Sequence, residues 1–403
     1  MATSAHVLVL NSGSSSLKFA LIEAGSGHVA RQGLAERLGT PEARVHARAI
    51  NGQGGAPAAR DTDEALPGAG HAEALEQILS HLGALPPAAV GHRVVHGGEA
   101  FSSSVVLDDA VVDGIRACTD LAPLHNPANV LGIEIARRRF PRLAHVAVFD
   151  TAFHQTLPAR AFSYAIPYEL YERHRIRRYG FHGTSHAYVA GEAARALGRP
   201  LDELQLVTAH LGNGCSACAV RGGRSVDTTM GLTPLEGLVM GTRSGDVDPN
   251  LHQFLADQAG LSLPQITDLL NRQSGLLGLS GTSNDMRALL EARSRGEARA
   301  ALAVDVFCYR LAKAVLGLCA ALDRVDALVF TGGIGEHAAP IRAETLAQLR
   351  VLGPVLDPAR NGDHGDGAGG RITTDGSPLP VLVIPTNEEL VIARETARLA
   401  QLT

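Results

Sequence analysis

Eight polar residues stand where strands of this chain are predicted to end: Asn11, Arg93, His125, Asp150, His182, His210, Arg243 and Glu388. Between them they offer guanidiniums, imidazoles, carboxylates and an amide. Phosphoryl transfer needs such a mixture: cations around the moving group, hydrogen-bond donors to its oxygens, and Mg²⁺ held by oxygen ligands. Singly, each residue says less. A lone His is more often a satisfied core or surface imidazole, and His182 with His186 make HxxxH without the Glu of a zinc-protease helix. The arginines are discounted by composition, because of 36 Lys and Arg only Lys18 and Lys313 are Lys, leaving 36 − 2 = 34 Arg.

Three turns of small residues each follow an apolar run: Asn11 to Ser16, Leu211 to Gly214, and Gly332 to Gly335. Small residues let backbone N–H groups approach phosphate oxygens, and hydroxyls add donors. None of the turns is the GxxxxGK[ST] loop, and none opens a helix as the GxGxxG of a dinucleotide fold does. One such turn would read as a plain hairpin. Three in a repeated frame make a nucleotide site the better reading. Lys18, a compact ammonium in an Arg-dominated chain, follows the first of them, where a point charge can sit close to phosphate.

The elements that must position these residues follow from periodicity and turn chemistry. The first half predicts strands over 6–10, 17–23, 29–36, 90–96 and 145–150, with helices over 71–83 and 127–139. Asn126 is expected as the N-cap of the second helix and Pro127 in its first turn. Residues 51–70 read as a Gly/Pro/Ala-rich loop. The second half repeats the strand, turn, strand, turn, strand grammar in LQLVTAHLGNGCSACAVRGGRSVDTT, residues 204–229. Helices are predicted over 184–197, 249–273, 285–322 and 387–400, strands over 326–331 and 380–385, and a polar loop over 361–370. The repeat predicts an internal duplication: two α/β domains with a cleft between them, the first of residues 1–150 plus 386–403 and the second of residues 151–385.

Composition narrows the class further. A 403-residue chain of net charge −5 lacks the basic excess of a general nucleic-acid binder. The absence of Trp and an aromatic share of 4% argue against base-stacking or sugar-stacking platforms. Five Cys point to a reducing compartment and not to a disulfide framework. Cys215 and Cys218 form one CxxC, better read as buried thiols in a strand than as a redox or zinc pair. No run reaches about 18 uncharged apolar residues, and the N-terminus has no basic region ahead of its short apolar run, so a soluble cytoplasmic protein is expected.

Longer motifs now bear on the question. NSGSSSLKF (11–19), HRVVHGGE (92–99), PLHNPAN (123–129), FDTAFHQTLP (149–158), YGFHGTSH (179–186), HLGNGCS (210–216), DTTMGLTPLEGLVMGTRSGDVDP (227–249), GTSNDMR (281–287), FTGGIGE (330–336) and PTNEEL (385–390) resemble the acetokinase family. That family belongs to the acetate and sugar kinase/Hsp70/actin superfamily, and the resemblance runs from Val7 to about Arg398. It implies a duplicated ribonuclease H-like, actin-like ATPase fold with an interdomain cleft. It also implies reversible transfer of the ATP γ-phosphoryl group to acetate by direct in-line attack, giving acetyl phosphate and ADP. Mg²⁺ is implied as cofactor, with Mn²⁺ able to substitute, and a homodimer as the assembly; neither nucleic acid nor membrane is expected as a partner.

Roles carried over by the resemblance are residue-specific. Asn11 and Glu388 match the magnesium site. Ser14, Ser16 and Lys18 match the first phosphate loop. Arg93 and Arg243 match the arginines flanking the carboxylate and the moving phosphoryl, His182 the transition-state stabiliser, and Asp150 the acceptor-side carboxylate, with His125 a supporting donor. Val95, Leu124, Phe181 and Pro234 match the acceptor pocket, where a β-branched Val95 implies acetate over propionate. His210, Leu211, Gly212, Asn213 and Gly214, then Asp285, Met286 and Arg287, then Gly333, Ile334, Gly335, Glu336 and His337, match the nucleotide segments. His337 and Met286 depart from the family pattern, which usually has Asn at the first position and often an aromatic at the second. Acetate is already ionised at neutral pH, so Asp150 reads as a positioning residue and not as a base. Two other readings stay open: a propionate or other short-chain carboxylate kinase, and an actin- or Hsp70-like nucleotide-dependent binding protein.

Overall fold

Val7, Leu8, Val9 and Leu10 are all essentially excluded from solvent, on both faces of their strand. Continuous apolar runs of this kind belong to central strands covered by helices on both sides. The computed structural model describes residues 5–49, 61–82, 85–123 and 125–402, and its chain divides into two compact units, residues 1–152 with 387–403 and residues 153–386.

The first unit is built on an eight-stranded sheet. Its strands are β1 (His6–Ser12), β2 (Ser16–Glu23), β3 (Val29–Glu36), β4 (Arg44–Ala49), β5 (Thr62–Ala65), β6 (Ala89–Val94), β7 (Val105–Val106) and β8 (Ala144–Phe149). They lie in the order β5-β4-β3-β2-β1-β6-β8-β7. β1 to β3 form an antiparallel meander, whereas β6 joins β1, and β8 joins β6, in parallel. The second unit has β9 (Gln205–Leu211), β10 (Cys215–Arg221), β11 (Arg224–Thr228), β12 (Ala327–Thr331) and β13 (Val381–Val383), in the order β11-β10-β9-β12-β13. Here too a meander is followed by two parallel additions. Both sheets therefore contain the same five-strand pattern, 3-2-1-4-5. This is the duplicated ribonuclease H-like topology.

Several boundaries differ from those the sequence predicts, each for a local reason. The helix predicted over 249–273 is two, Leu251–Ala259 and Leu263–Arg272, because Gly260 turns left-handed (φ 65°) and Ser262 and Gln265 form a capping box. The one predicted over 285–322 splits into Met286–Ser294 and Ala298–Cys319 around Gly296 (φ 87°). Within the predicted 51–70 loop, residues 62–65 form β5, and residues 51–60 lie outside the described residues. The 361–370 loop starts inside a short helix, Pro358–Gly362, whose Asn361 is buried. Asn126 is not an N-cap: the helix is Asn126–Arg139, His125 holds the cap position, and the Asn126 amide is used elsewhere. Cys215 and Cys218 are buried in β10, and burial pushes both thiols up to about 12.

Candidate active site

In the first unit the functional side chains cluster at the C-terminal ends of β1, β6 and β8, where parallel α/β sheets place their ligands. Arg93 Nε donates to Asp150 Oδ1 at 3.0 Å, its second fork arm also meets Asp150, and Nη1 donates to Asn11 Oδ1 at 3.3 Å. The Asp150 carboxylate is almost wholly buried. Burial pushes its carboxyl above the usual range, Arg93 works against that, and the Glu388 charge adds to it. Burial likewise opposes the Arg93 charge, but Asp150 and Glu388 together hold it above its ordinary value.

Glu388 opens the helix Glu388–Leu399, and its Oε1 is buried with no hydrogen-bond partner among the described residues. Lys18 lies directly opposite Asn11 in the β1–β2 register, so the two side chains share a face. Ser14 is exposed and Ser16 half-buried. Val95 is buried, its N–H donating to Asn129 Oδ1 at 3.0 Å, and Leu124 lies outside the described residues.

Asn126 and Asn129, which sequence reasoning did not single out for the site, hold this end of the sheet together. The Asn126 amide bonds the backbone of His96 in both directions, at 3.2 and 3.0 Å. Asn129 Nδ2 donates to the carbonyl of Ser12 at 2.7 Å. The first turn of one helix thus fixes the ends of β1 and β6 relative to each other. Two Asn three residues apart, on either side of Pro127, was the available signal.

The second unit presents a different chemistry. His182 takes a left-handed conformation (φ 56°, ψ 25°) just ahead of the helix Gly183–Leu197. For a non-Gly residue this strain is uncommon, and it tends to collect at functional sites. Its ring stacks on His210 with centroids 4.2 Å apart. Behind it runs a line of hydrogen-bonded side chains, His182 Nδ1 to Ser216 Oγ at 2.9 Å, Ser216 Oγ to His186 Nε2 at 2.8 Å, and His186 Nδ1 to Thr208 Oγ1 at 2.7 Å. Burial keeps His186 well below the ordinary imidazole value. Both ring nitrogens of His186 are thus engaged by hydroxyls.

Arg243 Nη1 donates to the carbonyl of Pro234 at 2.6 Å. No carboxylate among the described residues pairs with it, and burial pulls its guanidinium below the ordinary value. A Cβ added at Gly214 would come within 2.9 Å of Arg243 Nη2 and 3.5 Å of the His182 ring, so turn, cation and imidazole are neighbours. Phe181 is buried, and its carbonyl accepts from His154 Nε2 at 3.0 Å.

Gly212, Asn213, Asp285, Met286, Arg287, Gly333, Ile334 and His337 come from three distant segments, and they line one cavity of about 540 Å³. That volume suits a small ligand. Its walls combine apolar Met286, Leu290, Ile334 and Pro340 with the amides of Asn213 and Asn284, which bond each other at 2.9 Å. Asp285 caps its own helix and pairs with the exposed Arg287, which holds the carboxyl down at about 2. Gly335 is buried within the short helix Gly332–His337, and Glu336 bonds inward to the backbone of Gly332. Leu211 is buried at the end of β9. His125 is half-buried, and its charge lowers the carboxyl of Asp150. Among the described residues no group of three or more His, Cys, Asp or Glu could hold a metal ion, and no helix is long and apolar enough to cross a membrane.

A duplicated ribonuclease H-like fold with a small-residue turn and an arginine at the sheet end of each unit, and a cavity of about 540 Å³, defines a phosphotransferase of the actin-like ATPase class. The model of the acetokinase family matches residues 6–394. An acetate kinase of Deinococcus radiodurans is 58% identical over 394 residues, covering 97% of each chain. Among solved structures, a propionate kinase from Francisella tularensis is 45% identical with a TM-score of 0.91, and Porphyromonas gingivalis acetate kinase is 41% identical with a TM-score of 0.90. Both alignments cover 98% of this chain and 100% of the other. The chain belongs to the acetokinase family, whose members are phosphotransferases with a carboxyl group as acceptor.

Proposed function

We propose that this chain carries out reversible, direct in-line transfer of the ATP γ-phosphoryl group to acetate, with the residues above in the following roles. An acetate oxygen forms the new bond to phosphorus as the bond to the β-phosphate oxygen breaks, giving acetyl phosphate and ADP. No proton has to leave the acceptor. Arg93, braced by Asp150, would bind the carboxylate, with His125 as a supporting donor, and Val95, Leu124, Phe181 and Pro234 are the positions assigned to selecting the acid. Arg243 and His182 serve the moving phosphoryl group, which carries more spread negative charge in the transition state than in the ground state.

One observation carries the reading: Arg243 is a half-buried cation without a carboxylate partner among the described residues, held beside His182 and the Gly214 turn. Among those residues its charge is answered by a backbone carbonyl alone, which suits it to an incoming anion. Ser14, Ser16 and Lys18 serve the first phosphate loop, and the residues lining the 540 Å³ cavity the nucleotide.

Asn11 and Glu388 would hold Mg²⁺, with Mn²⁺ able to replace it. The unanswered Glu388 Oε1 fits a hard cation that takes a few protein oxygens and keeps several waters. Bound there, the ion would neutralise phosphate charge.

Trapping with hydroxylamine tests the activity: acyl hydroxamate should form from ATP with acetate, and none should form from ATP alone. A second reading, a propionate kinase, is favoured by the likeness to the Francisella tularensis propionate kinase. A higher kcat/KM for propionate than for acetate would decide for it. For the homodimer, Leu302 and Tyr309 stand exposed seven residues apart on Ala298–Cys319, and so on one face of that helix. Sedimentation checks the assembly. A cytoplasmic location fits five free thiols.

A further inference from the structure

Glu336 matches a nucleotide-binding segment, yet its carboxylate looks inward. A single oxygen, Oε1, accepts from the N–H of Gly332 at 2.9 Å, from Thr331 Oγ1 at 3.3 Å and from the N–H of Thr386 at 3.1 Å. Thr386 continues the line: its Oγ1 donates to Ser185 Oγ at 2.8 Å, and Ser185 Oγ lies 2.8 Å from His210 Nδ1. A hydroxyl has one proton. With Ser185 accepting from Thr386, its own proton is available to be donated to Nδ1, which then accepts.

We infer that Glu336, Thr386 and Ser185 are positioning residues that fix His210 as the tautomer protonated at Nε2. Nε2 sits beside the Leu211–Gly214 turn, 3.8 Å from a Cβ built on Gly212. The line therefore turns an N–H donor toward the place where phosphate oxygens belong, whereas the other tautomer would present a lone pair to them. Glu336 starts the line by clamping the Gly332 turn and Thr386 to one point. This rests on the reading of His210 to Gly214 as a nucleotide segment.

The test uses the full-length protein with ¹⁵N-labelled histidine, the His210 signal being assigned by its loss in His210→Asn. In wild type that ring should show an unprotonated Nδ1 and a protonated Nε2. Ser185→Ala should move the Nδ1 signal toward the protonated form and lower kcat roughly tenfold, the loss of one directed hydrogen bond, with a smaller change in KM for ATP. Thr386→Val should do the same, and Thr386→Ser should restore both signal and rate. A protonated Nδ1 in wild type, or a His210 signal untouched by Ser185→Ala, overturns the inference. Should Thr386→Val fail to fold, Ser185→Ala decides alone. The expected tautomer in a protein that makes no acyl phosphate would instead sink the proposed function and leave the positioning line standing.

Discussion

The turn after β1 and the turn after β9 occupy the same place in the same strand order, yet they are furnished differently. The first has hydroxyls on the turn, a Lys one strand-step beyond, and an arginine–carboxylate pair alongside. The second has Gly212, Asn213 and Gly214, backed by imidazoles and buried hydroxyls and by an arginine without a carboxylate among the described residues. One copy of the duplicated sheet end concentrates charge; the other concentrates neutral donors around a single cation. Duplication supplies the frame, and the division of chemistry lies in side chains that the frame does not dictate.

The sharpest way to break this contrast is to remove each arginine. Arg93→Ala and Arg243→Ala should each lower kcat by about a hundredfold or more, the usual loss for one transition-state donor. Their stabilities should part. Arg93→Ala leaves Asp150 buried without its partner, a loss of about 3 kcal/mol, whereas Arg243→Ala strands no carboxylate and should leave the unfolding midpoint nearly unchanged. Equal destabilisation of the two variants in urea would refute the contrast.

Next come the matched glycines. A Cβ at Gly214 meets Arg243 and His182, so Gly214→Ala should cost roughly tenfold in kcat by shifting the cation. A Cβ at Gly13 is crowded by the Ser16 hydroxyl, which can rotate away, its other neighbours being at ordinary contact distance, so Gly13→Ala should cost a few-fold at most. On the acceptor side, Val95→Ala should raise kcat/KM for propionate relative to acetate by about tenfold, the worth of roughly one methylene.

Acid should act on both units alike. Burial lowers His96 in the first and His154 in the second to about 4, from an ordinary value of 6.5. Above pH 6.5 both rings are neutral folded or unfolded and contribute nothing. Between 6.5 and about 4 the unfolded chain takes up protons that the folded chain refuses. Stability should therefore fall across that window, by up to about 1.4 kcal/mol per pH unit for each ring. Urea midpoints that stay flat from about pH 7 to about 4.5 would contradict this.

Much of this was legible in the sequence because local pattern and tertiary need agree. The β1–β2 and β9–β10 hairpins were readable from alternation and small-residue turns, and the cavity-lining segments from motifs long enough to resemble a family. What escaped was of two kinds. Helix breaks at Gly260 and Gly296 were lost because the apolar period continues on either side and hides a single left-handed residue. The supports of the site, Asn126, Asn129, Ser185, Ser216 and Thr386, were lost because a small polar residue near a turn already has a local explanation. Only the fold shows that these side chains reach across to another strand or loop.

The helix Glu388–Leu399 belongs to the unit that opens the chain, although it follows the whole of the second unit in sequence. Its Ile392 and Thr396 lie so close to β6 that a Cβ at Gly91 would strike both. Domains usually fold in the order in which they leave the ribosome. Here the second unit can close on its own residues as they emerge, while the first must wait with one face of its central sheet uncovered until this helix arrives. The unit begun first is finished last, and with it comes Glu388, the acidic residue proposed for the metal.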